Sequence, residues 1–237
     1  VDGPKLNNSV MAAEWLKTLR AGVEAQRLVP GAHLVGGSAV SLLAGHRISL
    51  DTDHLLGDLR SRFEDVLETL ETSGHWTTAK VRPPVMILGA IDGAEVGFRQ
   101  QIRRGDTETT TVQTLAGPLV LPVPGELLAM KAFLAYKRNV TRDYLDFAVL
   151  AEQLGEAETL RRLTLLDAQF GHTQTRSVAL EVAKSLASPQ PGDFEGTDLH
   201  DYKGLVPEWQ DWNRVTALCR RAGLALGKHL LDAGGAS

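Results

Sequence analysis

One cysteine, Cys219, stands in the whole 237-residue chain. A single thiol forms no internal disulfide, which points to a reducing compartment. No apolar run approaches the ~20 residues that a membrane-spanning helix needs. The opening residues VDGPKLNN have neither the charged region nor the apolar core of a signal peptide. The expectation is a cytoplasmic protein with no membrane association. The formal charge is only −4, which excludes a protein that coats nucleic acid through bulk positive charge, although a local basic groove is still allowed. Also absent are a P-loop pattern, a Cys/His spacing suited to zinc, a Ser-His-Asp or Cys-His arrangement, internal repeats and low-complexity segments. P-loop kinases, zinc modules and triad hydrolases are thereby set aside. What remains is a chain with 43% hydrophobic residues, enough to bury a proper core.

The most informative stretch is 34–54, LVGGSAVSLLAGHRISLDTDH. It reads as a strand, a Gly-Gly-Ser turn, a short helix and a second strand carrying Asp51 and Asp53. Residues two apart in a strand point the same way, so the two carboxylates share a face. Like charges that close repel and need compensation. A divalent metal on oxygen ligands is the usual answer, commonly Mg²⁺ held by one or two carboxylates plus substrate phosphates; Mn²⁺ is the alternative ion. Gly36, Gly37 and Ser38 would supply the phosphate side of such a site. Glycines allow close backbone approach, and a helix starting at Ser38 or Ala39 would aim free N–H groups at an anion. His46 and Arg47 follow at that helix's C-terminal end, which favours cations. Arg47 could contact a phosphate or position the turn; His46 reads as structural.

Elsewhere, Met11, Trp15, Leu19 and Val23 mark a helix over 9–28, with Asn8 or Ser9 as cap. A second amphipathic helix is expected over 58–73. Strands follow at 76–81, 85–90 and 94–100, with Asp92-Gly93 as a hairpin turn, and at 107–114. Alternation puts Glu95, Gly97 and Arg99 on one face and Ala94, Val96 and Phe98 on the other. Arg99, Arg103 and Arg104 form a basic cluster, either a solvated face or one that attracts phosphate. Pro118, Pro122 and Pro124 read as a loop and then a helix start. That helix runs to Arg138 and holds Lys131 amid apolar residues, where lysine is rarely buried without a partner. Thr141 reads as the cap of the next helix, with Asp143 in its first turn and Asp146 on the same side. Further helices are marked by Leu160, Leu163 and Leu166, by Val178 to Leu186, and over 207–231. Residues 188–206 read as a long loop. Trp209 and Trp212 are expected in the core.

Two separated strings carry a family resemblance. Gly-Gly-Ser-Ala through His46-Arg47-x-Ser49-x-Asp51-x-Asp53, together with Lys131-x6-Arg138-x3-Arg142-Asp143-x2-Asp146, resembles the AbiEii/AbiGii-type (MenT-like) nucleotidyltransferase toxins of the DNA polymerase β-like superfamily. The resemblance covers roughly residues 30–150. It implies an α+β fold: a mixed sheet flanked by helices over 1–120, then a helical half over 121–237 that completes an active-site cleft. It implies a nucleotidyltransferase that uses Mg²⁺ and a nucleoside triphosphate. The product would be a tRNA with nucleotides added at its 3′ end, and a cognate antitoxin would restrain the activity. It gives Lys131 a phosphate contact, and one aspartate of the Arg-Asp motif, Asp143 or else Asp146, a closing role. Glu95 becomes a candidate third metal ligand, although a solvent-facing residue beside a turn explains it equally simply. Two other readings stand beside this one: a small-molecule transferase of the aminoglycoside-modifying type, and a non-catalytic protein that keeps the fold.

Overall fold

The computed structural model describes residues 9–234, which fall into two compact units. Unit 1 comprises the described residues to Ile102 together with Glu108–Val123; unit 2 comprises Arg103–Thr107 and the described residues from Pro124.

Unit 1 begins with α1 (Ser9–Leu28), β1 (His33–Val35), α2 (Gly36–Ala44), β2 (Asp51–Leu56) and α3 (Phe63–Thr72). It continues with β3 (Trp76–Arg82), β4 (Met86–Ile91), β5 (Ala94–Gln100), β6 (Thr109–Thr114) and β7 (Gly117–Pro122). Five strands form one mixed sheet in the order β1-β2-β5-β4-β3. Only β2 and β5 run parallel. A parallel pair needs a crossover, and here α3 with the β3–β4 hairpin supplies it. Asp92 and Gly93 take positive φ, 48° and 76°, the conformation that a tight hairpin turn demands. One sheet face turns inward: Thr52, His54 and Leu56 alternate as buried residues on β2, and Ala94, Val96 and Phe98 on β5. Phe98, Val96, Trp76, Ile87, Ile91, Leu56, Phe63, Val66 and Leu70 join Ala21 and Ala25 of α1 in a single apolar cluster. The helix expected over 58–73 is a short 3-10 turn at Leu59–Ser61 followed by α3. Asn8, one proposed cap of α1, lies outside the described residues.

Pro118 and Pro122 lie in a strand rather than a loop, whereas Pro124 opens the expected helix. β7 pairs antiparallel with β6. The Val123 amide donates to the Glu108 carbonyl, so the amide positions of 118, 120 and 122 face the outer edge. Proline lacks that donor and is tolerated there. Between them, the Val120 amide and carbonyl both bond the side chain of Gln26, at 2.9 and 2.7 Å, which satisfies the edge from α1.

Unit 2 is helical: α4 (Pro124–Arg138), α5 (Thr141–Leu163), α6 (Leu166–Phe170), α7 (Val178–Ala187) and α8 (Trp212–Gly234). Residues 188–206 carry only 3-10 turns. Two expectations change. Thr141 is the first residue of α5 and not its cap; the carboxylate of Asp193, from the long loop, accepts from both the Thr141 amide (2.7 Å) and its hydroxyl (2.8 Å). Leu160 and Leu163 belong to α5, which continues past a non-helical Gly155, whereas Leu166 opens α6. Trp209 is buried, and Trp212 packs edge-on against Tyr144. Cys219 is buried beside the Tyr144 carbonyl, and desolvation holds its thiol well above the usual range. No helix among the described residues is long and apolar enough to cross a membrane.

His54 is the costly member of the unit 1 core. It is fully buried and stacked on Phe98 at 5.4 Å. Desolvation, with a smaller contribution from His33, pushes its pKa down to about 3. The unfolded chain binds this proton near pH 6.5 and the folded chain does not, so stability falls as pH drops from about 6.5 towards 3. The His54 contribution to that slope is about 1.4 kcal/mol per pH unit. Denaturant titrations between pH 7 and 5 should show the slope, and His54→Leu should flatten it by up to one proton.

Candidate functional site

The turn after β1 and the face of β2 meet through sheet register. β1 runs antiparallel to β2 with Val35 opposite Asp53, so the chain enters α2 beside that carboxylate. α2 starts at Gly36, two residues before the expected Ser38. Gly36 takes φ +73°, a conformation other residues rarely adopt, and a Cβ there would lie 3.5 Å from Asp53 Oδ2. Gly37 has no room for a side chain: a Cβ would sit 2.5 Å from Ser49 Oγ and 2.7 Å from the Arg47 guanidinium. The N-cap, Val35, offers no side-chain acceptor to the amides of the first turn.

Ser38 and Ser49 hold Asp51. The Ser38 side chain is buried and its hydroxyl lies against the carbonyls of Ser49 (3.1 Å) and Asp51. It therefore staples the start of α2 to the start of β2. The Ser49 hydroxyl donates to Asp51 Oδ1 at 2.5 Å. Arg47 is also buried, with its guanidinium under the Gly37 backbone and 3.4 Å from the Ile48 carbonyl. In this structure Ser38 and Arg47 build the turn. His46 is buried as well, the structural position expected of it.

Asp51 and Asp53 are half-buried on the outer face of β2. The parallel register places Glu95 opposite Asp51 and Gly97 opposite Asp53, so Glu95 rises from the same face, exposed. At Gly97 a Cβ would come within 2.8 Å of Asp53 Oδ1; the glycine clears the space this carboxylate occupies. Arg99, the next residue on that face, donates from Nε to Asp53 Oδ1 at 3.3 Å. Among the described residues no group of three or more His, Cys, Asp or Glu side chains is gathered to hold a metal by itself. Two carboxylates and no soft ligand suit Mg²⁺, which keeps several waters and takes phosphate oxygens as its other ligands. The residues present fit that ion.

In unit 2, α4 and α5 bring the second motif together. Lys131 is 3% exposed and both aspartates are fully buried. Its ammonium lies 2.7 Å from Asp146 Oδ2 and 3.2 Å from Asp143 Oδ1. Arg138 grips Asp143 through two bonds, 2.9 and 2.7 Å, the fork geometry of a strong arginine–carboxylate pair. The spacing of three residues on α5 puts both acids on one side, while Arg142 points outward. Lys131 does not run along the surface with its charge in water: it is paired inside the unit. The Arg103 side chain is only 7% exposed and bonded to Glu126, which also receives Arg162 at 3.1 Å. The basic cluster 99–104 is thus divided. Arg103 is a structural ion pair, Arg104 is exposed, and Arg99 belongs to the aspartate face. Ser49 belongs to the first motif, which gave it no role; its spacing of two from Asp51 signals the shared side on which it donates to that carboxylate.

No family model matches the chain. Among curated proteins it is 32% identical over 128 residues to the mycolic acid-containing lipids exporter MmpL11 of Mycolicibacterium smegmatis, a match covering 52% of this chain and 13% of the exporter. The heme uptake protein MmpL11 of Mycobacterium tuberculosis is 29% identical over 133 residues, again covering 13% of that protein. The chain thus spans about an eighth of the length of these relatives. Two solved structures from Helicobacter pylori share its fold over nearly the whole length. One is described as a nucleotidyltransferase (TM-score 0.56, 14% identity, 95% of this chain and 99% of that one). The other is JHP933 (TM-score 0.55, 14% identity, 96% and 97%). The chain has the fold of these two proteins, a mixed sheet flanked by helices followed by a helical half.

Two substitutions probe the local construction. Ser38→Ala removes the donor between two buried carbonyls and should cost about 1–3 kcal/mol of unfolding free energy. Lys131→Met leaves Asp146 without its ammonium partner in a buried setting and should cost roughly 3–5 kcal/mol. Both are read from denaturant midpoints at constant m-value.

Proposed function

We propose that the chain is a nucleotidyltransferase toxin that moves a nucleoside monophosphate from a nucleoside triphosphate to the 3′ end of tRNA and is restrained by a cognate antitoxin. The observation that carries the reaction class is the joining of Asp51 and Asp53 on one strand face with the Gly36-Gly37 entry to α2 directly beside them. The acceptor and the antitoxin rest on the motif resemblance. Asp51 and Asp53 would hold Mg²⁺, which would supply charge stabilisation to an in-line displacement at phosphorus. The Gly37 backbone and the first-turn amides of α2 face the phosphate oxygens. Ser38 and Arg47 keep that turn in shape. The resemblance implies a phosphate contact for Lys131, whose ammonium is paired with Asp143 and Asp146 inside unit 2. In the transfer, a 3′-hydroxyl oxygen of the acceptor bonds to the α-phosphorus. The bond from that phosphorus to the bridging oxygen breaks, pyrophosphate leaves, and the hydroxyl proton passes to solvent.

A label-transfer assay tests this. Purified protein, Mg²⁺ and total tRNA are incubated with each α-labelled nucleoside triphosphate in turn, beside Asp53→Ala. Label should appear on tRNA with the wild type and drop by at least about 10²-fold in the variant, the scale of losing a transition-state charge contact. Absence of label with all four triphosphates rejects tRNA as acceptor. The same assay with aminoglycosides then asks for a small-molecule acceptor, and unchanged cellular toxicity in Asp51→Ala and Asp53→Ala would favour a non-catalytic role.

A further inference from the structure

Arg99 is a cation placed on an otherwise acidic face. β2 and β5 contribute Asp51, Asp53 and Glu95 to that face, and Gly97 lies between Asp53 and the Arg99 strand position. Because Gly97 has no side chain, the guanidinium can lean back along β5 and reach Asp53 Oδ1. The contact is a single Nε–H bond at 3.3 Å, at the long end of the hydrogen-bond range. Arg99 Nη1 lies 3.1 Å from the Met86 sulfur, a weak acceptor. The pair is open to water, with side chains 46% and 33% exposed. Arg103, by contrast, is locked inside its unit by Glu126. Arg99 is therefore a loosely held charge with most of its five donors unspent, at the edge of the Asp51–Asp53 pair.

We infer that Arg99 is a nucleotide-binding residue that exchanges partners: it neutralises Asp53 in the free protein and transfers to a phosphate of the triphosphate when Asp53 takes up the divalent ion. The inference rests on the nucleotidyltransferase reading and assigns within it a residue that neither motif contains. The physical basis is charge balance. Asp53 Oδ1 cannot be fully shared by a guanidinium and a divalent cation, because the two cations repel at such distances. A triphosphate arriving with the ion brings the anionic oxygens that a planar guanidinium binds best, in pairs. Arg99 thus competes with the metal alone and cooperates with the metal–nucleotide complex, two effects of opposite sign from one residue.

That sign difference is the test. Mn²⁺ binding is measured by EPR, and binding of the four α,β-methylene nucleoside triphosphates with Mg²⁺ by calorimetry, on wild type, Arg99→Gln and Arg99→Lys. Arg99→Gln should bind Mn²⁺ several-fold more tightly and bind the preferred analogue about tenfold or more weakly, the size of a charged hydrogen bond. Arg99→Lys keeps the charge and should hold Mn²⁺ near the wild-type affinity while recovering part of the nucleotide binding. Thermal unfolding should be nearly unchanged in both, since the pair is exposed. An unaltered analogue affinity in Arg99→Gln, or Mn²⁺ binding that does not tighten, overturns the inference and leaves the reaction class standing. A wild type that binds neither Mn²⁺ nor any analogue overturns both.

Discussion

Two carboxylates fixed on one face of a single strand repel each other, and unit 1 is built around that repulsion. Asp51 and Asp53 cannot move apart, because β2 is pinned by β1 on one side and β5 on the other. Each is stabilised separately. Ser49 donates to Asp51, and Arg99 leans onto Asp53 across the bare Gly97. The inner face of the same strands anchors the arrangement. Thr52, His54, Val96 and Phe98 are buried in the unit 1 core, so turning either aspartate away would cost core packing. His54 shows how firmly the register is held, since the fold keeps an imidazole in a site that excludes its charge.

The turn into α2 answers to the same constraint. Gly36 lies close against the Asp53 carboxylate, and nothing larger fits at Gly37 because Ser49 and Arg47 fill the space below. Polar residues that face outward in many turns face inward here. Ser38 ties helix to strand, and Arg47 spends its guanidinium on the turn.

Unit 2 handles charge in another way. Lys131, Asp143 and Asp146 are buried together with the exposed Arg138 at their edge, and each ion has an opposite partner within hydrogen-bonding distance. Arg103, Glu126 and Arg162 form a second such cluster. Buried ion pairs seldom add much net stability over apolar packing, but removing one member is expensive.

Much of this was legible in the order of residues. Strand alternation alone put Asp51 with Asp53 and Glu95 with Arg99, because the two-residue period follows from backbone geometry. Apolar spacing and the Asp92-Gly93 turn located most helices and the central hairpin, for these are local preferences. The β7 strand was hidden, since proline reads as a strand breaker unless one knows that its missing amide faces an open edge. The cap of α5 was hidden because Asp193 comes from 52 residues away. The sequence by itself determined which residue types sit two, three and four apart, and hence which share a face. Only the tertiary structure decided which strand lies beside which, so that Glu95 stands opposite Asp51. It also decided which polar and charged groups face water and which are spent inside: Ser38, Arg47, Lys131 and Arg103 inward, Arg99 outward. Burial and pairing depend on neighbours distant in the chain, and no local pattern encodes them.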